Sequence, residues 1–256
     1  TGTSISVRMS EEGESYHQVF IDGKLLGKLH FTGKEPHDVT LAKGLSKGQH
    51  VLRLQKVTEG EFGRTTLYSF TTTGTGTFKA VAPKGRLIEI IGDSYTCGYG
   101  AEGSETSHFE VKTENCDKAY ACLIARYFNA DYVIAAHSGM GVVRNYAGKK
   151  LKTMSQRYPM LYDDHDSIAY DFTQYKPNLV IINLGTNDFS TEAAPAGYVD
   201  GYVRLIQTVR SHYGDVPVLC VTPHSANIFL QAALEQLRQR VSSMKDERVA
   251  EPMPDI

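Results

Sequence analysis

Tryptophan is absent from the 256 residues, and cysteine is confined to four positions, Cys97, Cys116, Cys122 and Cys220. Four irregularly spaced thiols do not make a disulfide-stapled scaffold, and the lack of any CxxC pair argues against a structural zinc site; the redox state of the thiols stays open. Charge of one sign is also missing. With 27 basic against 29 acidic side chains the net charge is -2, so no global positive field exists to hold nucleic acid or an anionic membrane, and neither is expected as a partner. No apolar run approaches the roughly 18 residues of a membrane helix, and Thr1-Gly2-Thr3 opens without the basic-then-apolar pattern of a signal peptide. The chain begins without an initiator methionine, so it reads as processed or fragmentary, and the missing leader says little about secretion. The phosphate-loop patterns GxGxxG and GKS or GKT are absent as well. What remains, 41% hydrophobic and 22% charged residues, is the balance of a globular protein of one or two domains with a sizeable core.

The two ends of the chain differ in pattern. Residues 4–9 alternate polar and apolar, 18–21 run into Asp22-Gly23, the dipeptide of a tight hairpin turn, and 25–31 follow as the return strand. Further short strands are expected at 39–41, 50–54 and 66–70. Short strands with no helical stretch between them predict a β-sandwich over residues 1–80. The Thr-rich run 71–77 fits either a linker or an edge strand. From Arg86 onward, long apolar strands alternate with helix-length segments: strands at 87–91, 132–136, 179–184 and 216–221, helices at 119–128, 198–213 and 229–244. That alternation predicts an α/β domain over residues 81–256, built on a parallel doubly wound sheet whose sites form beyond the carboxyl ends of the strands.

Three of those strand ends carry unusual residues. After the first stands Gly92-Asp93-Ser94-Tyr95-Thr96-Cys97-Gly98-Tyr99-Gly100. A serine on a strand-to-helix turn meets backbone N–H groups and the positive end of the helix, which can stabilise an oxyanion; the same residues also suit a plain helix cap. After the second comes His137-Ser138-Gly139-Met140-Gly141, and after the third Gly185-Thr186-Asn187-Asp188. Gly139 allows a backbone N–H to approach a substrate, and Asn187 has a side-chain N–H to offer a developing negative oxygen. Taken singly, each is also a turn or strand-end motif.

In that order and at those strand ends, GDSYTCGYG, HSGMG and NLGTNDFS resemble the first three sequence blocks of the SGNH, or GDSL, hydrolase superfamily. The preceding β region and the wording YDFTQYKPNLVIINLGTNDFS resemble carbohydrate esterase family 2, acetyl xylan esterase-like proteins with a jelly-roll domain joined to an SGNH domain. The resemblance covers most of the chain. It implies removal of acetyl groups from plant cell-wall polysaccharide such as xylan, an acetylated polysaccharide or oligosaccharide as the partner, no metal or organic cofactor, and a secreted or cell-surface location. It also implies that Ser94 is the nucleophile, and that its N–H, the N–H of Gly139 and the Asn187 side chain form the oxyanion hole.

The chain departs from the family at the base. A DxxH block after a fifth strand is expected, yet no histidine follows His224; the ending therefore reads as truncated, with the fifth strand and the histidine beyond Ile256. Asp255 as the start of a DxxH, or His137 or His224 as substitute base, are the alternatives; partial burial is the plainer role for the two histidines. Asp163-Asp164-His165-Asp166 reads as a solvated loop or helix cap, since consecutive residues rarely point at one ion. With no tryptophan, any sugar-stacking ring must be Tyr or Phe. Tyr95, His137, Phe189 and His224 are the candidate substrate-lining residues, with Tyr99 and Tyr146 flanking them. Another short-chain SGNH esterase or lysophospholipase, and a carbohydrate-binding protein without catalysis, are the rival readings.

Overall fold

The computed structural model describes residues 2–104, 106, 108–162, 165–191, 194–224 and 226–250. They form two compact units, Thr1–Pro83 with Gly98–Asp117, and Lys84–Cys97 with Lys118–Ile256.

The first unit contains strands β1 (Ser4–Gly13), β2 (Ser15–Ile21), β3 (Lys24–Phe31), β4 (His37–Lys43), β5 (Leu52–Lys56) and β6 (Gly63–Thr72). They pair antiparallel as two three-stranded sheets, β4-β1-β6 and β3-β2-β5. Alternate residues of each, including Val7 and Met9 from the first and Val19 and Phe31 from the second, fill one shared core, as in a sandwich. Asp22 and Gly23 make the β2–β3 turn with φ of 52° and 79°, the doubly left-handed geometry expected of an Asp-Gly hairpin.

The linear division at residue 80 leaves no place for the excursion Gly98–Asp117, which folds with this unit. One side chain does much of the fastening: Lys28 Nζ on β3 donates to Glu102 Oε2 at 2.7 Å, to the Lys112 carbonyl at 2.6 Å and to the Glu114 carbonyl at 2.9 Å. Glu114 is itself fully buried. Its carboxyl is pushed up to about 9, first by desolvation and then by the charge of Glu59.

The second unit runs β7 (Leu87–Gly92), α1 (Ser94–Cys97), α2 (Tyr120–Tyr127), β8 (Asp131–Ala136), α3 (Met154–Arg157), β9 (Met160–Tyr162), β10 (His165–Ala169), β11 (Leu179–Asn183), α4 (Tyr198–Tyr213), β12 (Val218–Cys220), α5 (Ile228–Ser243) and β13 (Val249–Ala250). Its main sheet is parallel throughout, in the order β13-β12-β11-β7-β8. Side chains of β7 alternate between two apolar layers: Ile88 and Ile90 meet Ala121 and Ala130, while Ile91 meets the α4 and α5 side. Burial on both faces explains why β7 is apolar apart from Glu89, which is itself buried. The fifth strand, expected after Ile256, is β13, within the chain. Its two described residues are too few to show a period, and Val249 is buried where it pairs with Val218. The antiparallel pair β9–β10 was not foreseen either; Asp163 and Asp164, Asp255 and the side chains of His165 and Asp166 lie outside the described residues.

Candidate active site

Register brings the three motifs together. Gly92, the last residue of β7, is paired with Ala136 of β8 on one side and with Asn183 of β11 on the other. Adjacent strands lie about 4.8 Å apart, so the segments that follow, beginning at Asp93, His137 and Leu184, leave the same edge of the sheet side by side. Ser94 therefore stands at the central strand end, with the Gly139 loop and the Asn187 turn on its two flanks.

The turn at Ser94 is set by its neighbours. Asp93 is 1% exposed; its carbonyl accepts from the N–H groups of Thr96 at 2.9 Å and Cys97 at 3.0 Å, and its Oδ1 accepts from Tyr95 N–H at 3.2 Å. These bonds close a single helical turn, α1, and leave Ser94 half-buried at its start. Thr96 folds back over the strand end, where a Cβ on Gly92 would come within 1.9 Å of its Oγ1. Thr96 Oγ1 also lies 2.8 Å from the Tyr120 hydroxyl. Burial pushes the Tyr120 phenol up to about 12, so it serves here as a neutral hydroxyl.

Gly139 has φ of +77°, a left-handed conformation that glycine enters without steric cost. Its carbonyl accepts from Tyr146 N–H at 2.8 Å. Asn187 is 4% exposed, and its Nδ2 donates to the Met140 carbonyl at 3.0 Å and to Asp93 Oδ2 at 3.2 Å. The amide of Asn187 thus spans from the residue after Gly139 to the residue before Ser94. Chemically, a half-buried hydroxyl between a left-handed glycine loop and a fixed carboxamide suits nucleophilic attack on a carbonyl whose oxygen gathers charge near N–H donors.

Asp188, taken from the sequence only as a turn former, ties the Gly139 loop to the Asn187 turn. Fully buried, it accepts from three consecutive amides, Val142 N–H to Oδ2 at 2.8 Å and Val143 and Arg144 N–H to Oδ1 at 2.8 and 3.0 Å. Burial raises its carboxyl above the usual range, and those amides pull it back only in part. Arg144 answers with two donations to the Asp188 carbonyl, Nε at 2.8 Å and Nη2.

The remaining candidates separate. Tyr95 is 39% exposed beside Ser94. His137 is buried directly after β8, with its N–H on the Gly92 carbonyl at 3.3 Å. His224 is exposed after β12, two strand spacings from β7. Phe189 is a correction: expected among the lining residues, it is 3% exposed and packs edge-on to Tyr198 at 4.9 Å in the core. The turn after Asn187 points it inward, where the apolar ring is removed from water.

Comparison with known proteins agrees with this architecture. The model of the GDSL-like Lipase/Acylhydrolase family matches residues 90–251, and that of the Carbohydrate esterase 2 N-terminal domain matches residues 1–81. The chain belongs to the GDSL-like lipase/acylhydrolase family, a family of carboxylic ester hydrolases. More particularly, its relatives are family 2 carbohydrate esterases. It is 38% identical over 221 residues to the Cellulase/esterase CelE of Acetivibrio thermocellus, covering 86% of this chain and 27% of that protein. It is 32% identical over 241 residues to an Acetylxylan esterase / glucomannan deacetylase of Cellvibrio japonicus, covering 88% of this chain and 66% of that one. The structure of a family two carbohydrate esterase from Clostridium thermocellum in complex with cellohexaose superposes with a TM-score of 0.91 at 35% identity, covering 99% of this chain and 80% of that one. The chain thus spans about a quarter of the first of these relatives and just under two thirds of the second.

Proposed function

We propose that this chain is a serine esterase that removes acetyl groups from acetylated plant cell-wall polysaccharide, outside the cell or at its surface, through an acyl-enzyme. The observation that carries the reading is the lateral register of Gly92 with Ala136 and Asn183, which sets Ser94, the Gly139 loop and Asn187 on three adjacent strand ends. The printed activities of the relatives, esterase, acetylxylan esterase and glucomannan deacetylase, support the substrate class.

Ser94 Oγ forms a bond to the acetyl carbonyl carbon while a base takes its proton. The oxygen of the tetrahedral adduct gathers negative charge against the N–H groups of Ser94 and Gly139 and the Nδ2 of Asn187. Asn187 exchanges its longer bond, the 3.2 Å one to Asp93, for the oxyanion. The C–O bond to the sugar then breaks, the proton passes to the departing sugar oxygen, and water attacks the acetyl-serine by the same route. No metal or organic cofactor enters these steps.

The base is an imidazole in this reading, because a serine hydroxyl is a poor nucleophile at neutral pH. Within the described residues His137 and His224 are the imidazoles that lie after strands of the same sheet, and each is a candidate for that role. The experiment is release of acetate from acetylated xylan and acetylated glucomannan by the intact native polypeptide and its Ser94→Ala variant. Ser94-dependent acetate release supports the reading. Equal release by both forms removes it, and binding of the glycan without turnover favours a non-catalytic carbohydrate-binding role instead.

A further inference from the structure

We infer that Asp188 and Arg144 form a two-way latch that holds the Gly139 loop and Asn187 in one rigid frame, making Asp188 a positioning residue for both oxyanion donors. The inference rests on the oxyanion role proposed above for Gly139 and Asn187. Asp188 directly follows Asn187, and its carboxylate receives the amides of Val142, Val143 and Arg144, three to five residues after Gly139. In the opposite direction the Arg144 guanidinium donates to the Asp188 carbonyl. Two more bonds cross between the same segments: Asn187 Nδ2 to the Met140 carbonyl at 3.0 Å, and Ala147 N–H to Ser190 Oγ at 2.9 Å. The loop also closes on itself, Gly141 N–H donating to Asn145 Oδ1 at 3.2 Å and Tyr146 N–H to the Gly139 carbonyl at 2.8 Å.

The sequence makes room for the carboxylate. A Cβ at Gly141 would lie 2.4 Å from Asp188 Oδ2 and 2.1 Å from the Arg144 carbonyl, so only glycine admits the latch in this form. The chemistry gives the arrangement its purpose. Oxyanion donors are worth most when they are fixed before charge develops, since no reorganisation is then required at the moment of reaction. The Gly139 N–H and the Asn187 amide come from loops after different strands, β8 and β11, and neither is held to the other by the sheet. A single carboxylate that is next to one donor in sequence and bonded to the loop of the other sets their separation.

The test is steady-state hydrolysis of p-nitrophenyl acetate by the intact native polypeptide carrying Asp188→Asn, with phenylboronic acid as a probe that forms a tetrahedral adduct on serine. Asparagine keeps the size of the side chain but sets an NH2 against one of the three amides. The latch predicts that kcat falls by about 10- to 10²-fold, the cost expected of a donor displaced by a fraction of an ångström to an ångström. It also predicts that KM changes less than about threefold and that the boronate inhibition constant rises in step with the loss in kcat/KM. A folded Asp188→Asn protein with parental kcat, or one that loses only KM, overturns the inference. Should that variant not fold, Arg144→Ala decides: the half-buried arginine is removed without leaving a buried charge unpaired at its own position, and kcat is expected to fall by about 5- to 20-fold with KM little changed. Parental kcat in Arg144→Ala overturns it equally. Failure of the esterase reading is distinct from either outcome, because there the Ser94→Ala variant hydrolyses as fast as the parent, or the parent itself shows no turnover.

Discussion

Replacing Asn187 with alanine perturbs the proposed site in two separable ways, and the structure sets a size for each. The first is catalytic. Loss of one oxyanion donor typically lowers kcat by about 10²- to 10³-fold, equivalent to about 2.7–4 kcal/mol. Here the donor is already bonded, at 3.2 Å to Asp93 and 3.0 Å to Met140, so its service to the oxyanion trades one hydrogen bond for another. That places the expected loss near the lower end, about 10²-fold, with KM little changed because the gain arises only as charge develops. The second effect is on stability. Alanine leaves Asp93 Oδ2 and the Met140 carbonyl without this donor at a site where Asp93 is 1% exposed, and unsatisfied buried groups cost about 1–3 kcal/mol each. For the two groups together a fall in melting temperature of roughly 4–24 °C follows, at about 2–4 °C per kcal/mol for a unit of this size. Initial rates with p-nitrophenyl acetate, measured well below the variant's melting temperature, separate the two. A parental kcat, or a loss confined to KM, would falsify the oxyanion assignment and leave Asn187 as a ground-state or structural residue.

Further predictions concern the first unit and the turn at Ser94. His17 is 3% exposed and stacked on Phe31 at 4.2 Å, and burial lowers its imidazole to about 4. Because the folded form resists protonation, its contribution is present above the unfolded value of about 6.5 and is lost as pH falls toward 4, up to about 3 kcal/mol; melting curves across that window should flatten in His17→Asn, and an unchanged slope contradicts the assignment. Glu114 has the opposite sign: with its carboxyl pushed up to about 9, it folds protonated, and stability is lost as pH rises through that value. Glu114→Gln should therefore melt higher than the parent at pH 9 to 10, and a lower melting point there refutes the protonated state. Gly92→Ala should abolish most Ser94-dependent hydrolysis, since its Cβ would sit 1.9 Å from Thr96 Oγ1 and unwind the turn; full activity in that variant means the turn is not needed.

How much of this was legible in the sequence depends on how far each feature's signal extends along the chain. The strands at 87–91, 132–136 and 179–184 are largely apolar on both faces, and the structure shows why: β7 and β11 are interior to a parallel sheet with layers on each side, and β8 lies at its edge, paired with β7. Asp22-Gly23 announced its turn because few other residues take two successive positive φ values. The motifs at Ser94, Gly139 and Asn187 could be ordered by strand, and register then set them side by side. Features that depend on distant partners left no local trace. The excursion Gly98–Asp117 has no periodicity of its own and is held by Lys28, whose partners lie 74, 84 and 86 residues away in sequence. β13 shows only two described residues, and their strand character comes from the neighbour they pair with. Phe189 looked like a lining residue because it adjoins Asn187, but adjacency does not fix which way a turn aims a ring. Asp188 was passed over for a related reason: an aspartate after asparagine in a Gly-Thr-Asn-Asp turn has an adequate local explanation, and only the three amides arriving from residues 142–144 reveal its other bonds.

The central claim is that Ser94 carries the acyl group. Rapid acid quench of the intact native polypeptide during turnover of p-nitrophenyl acetate, followed by peptide mass spectrometry, tests it directly. The account predicts an acetyl group on the peptide containing Ser94, absent in Ser94→Ala and chased away by further incubation in water before the quench. Turnover with no acetylated Ser94 peptide, or acetylation of another residue that accumulates and decays at the turnover rate, contradicts it.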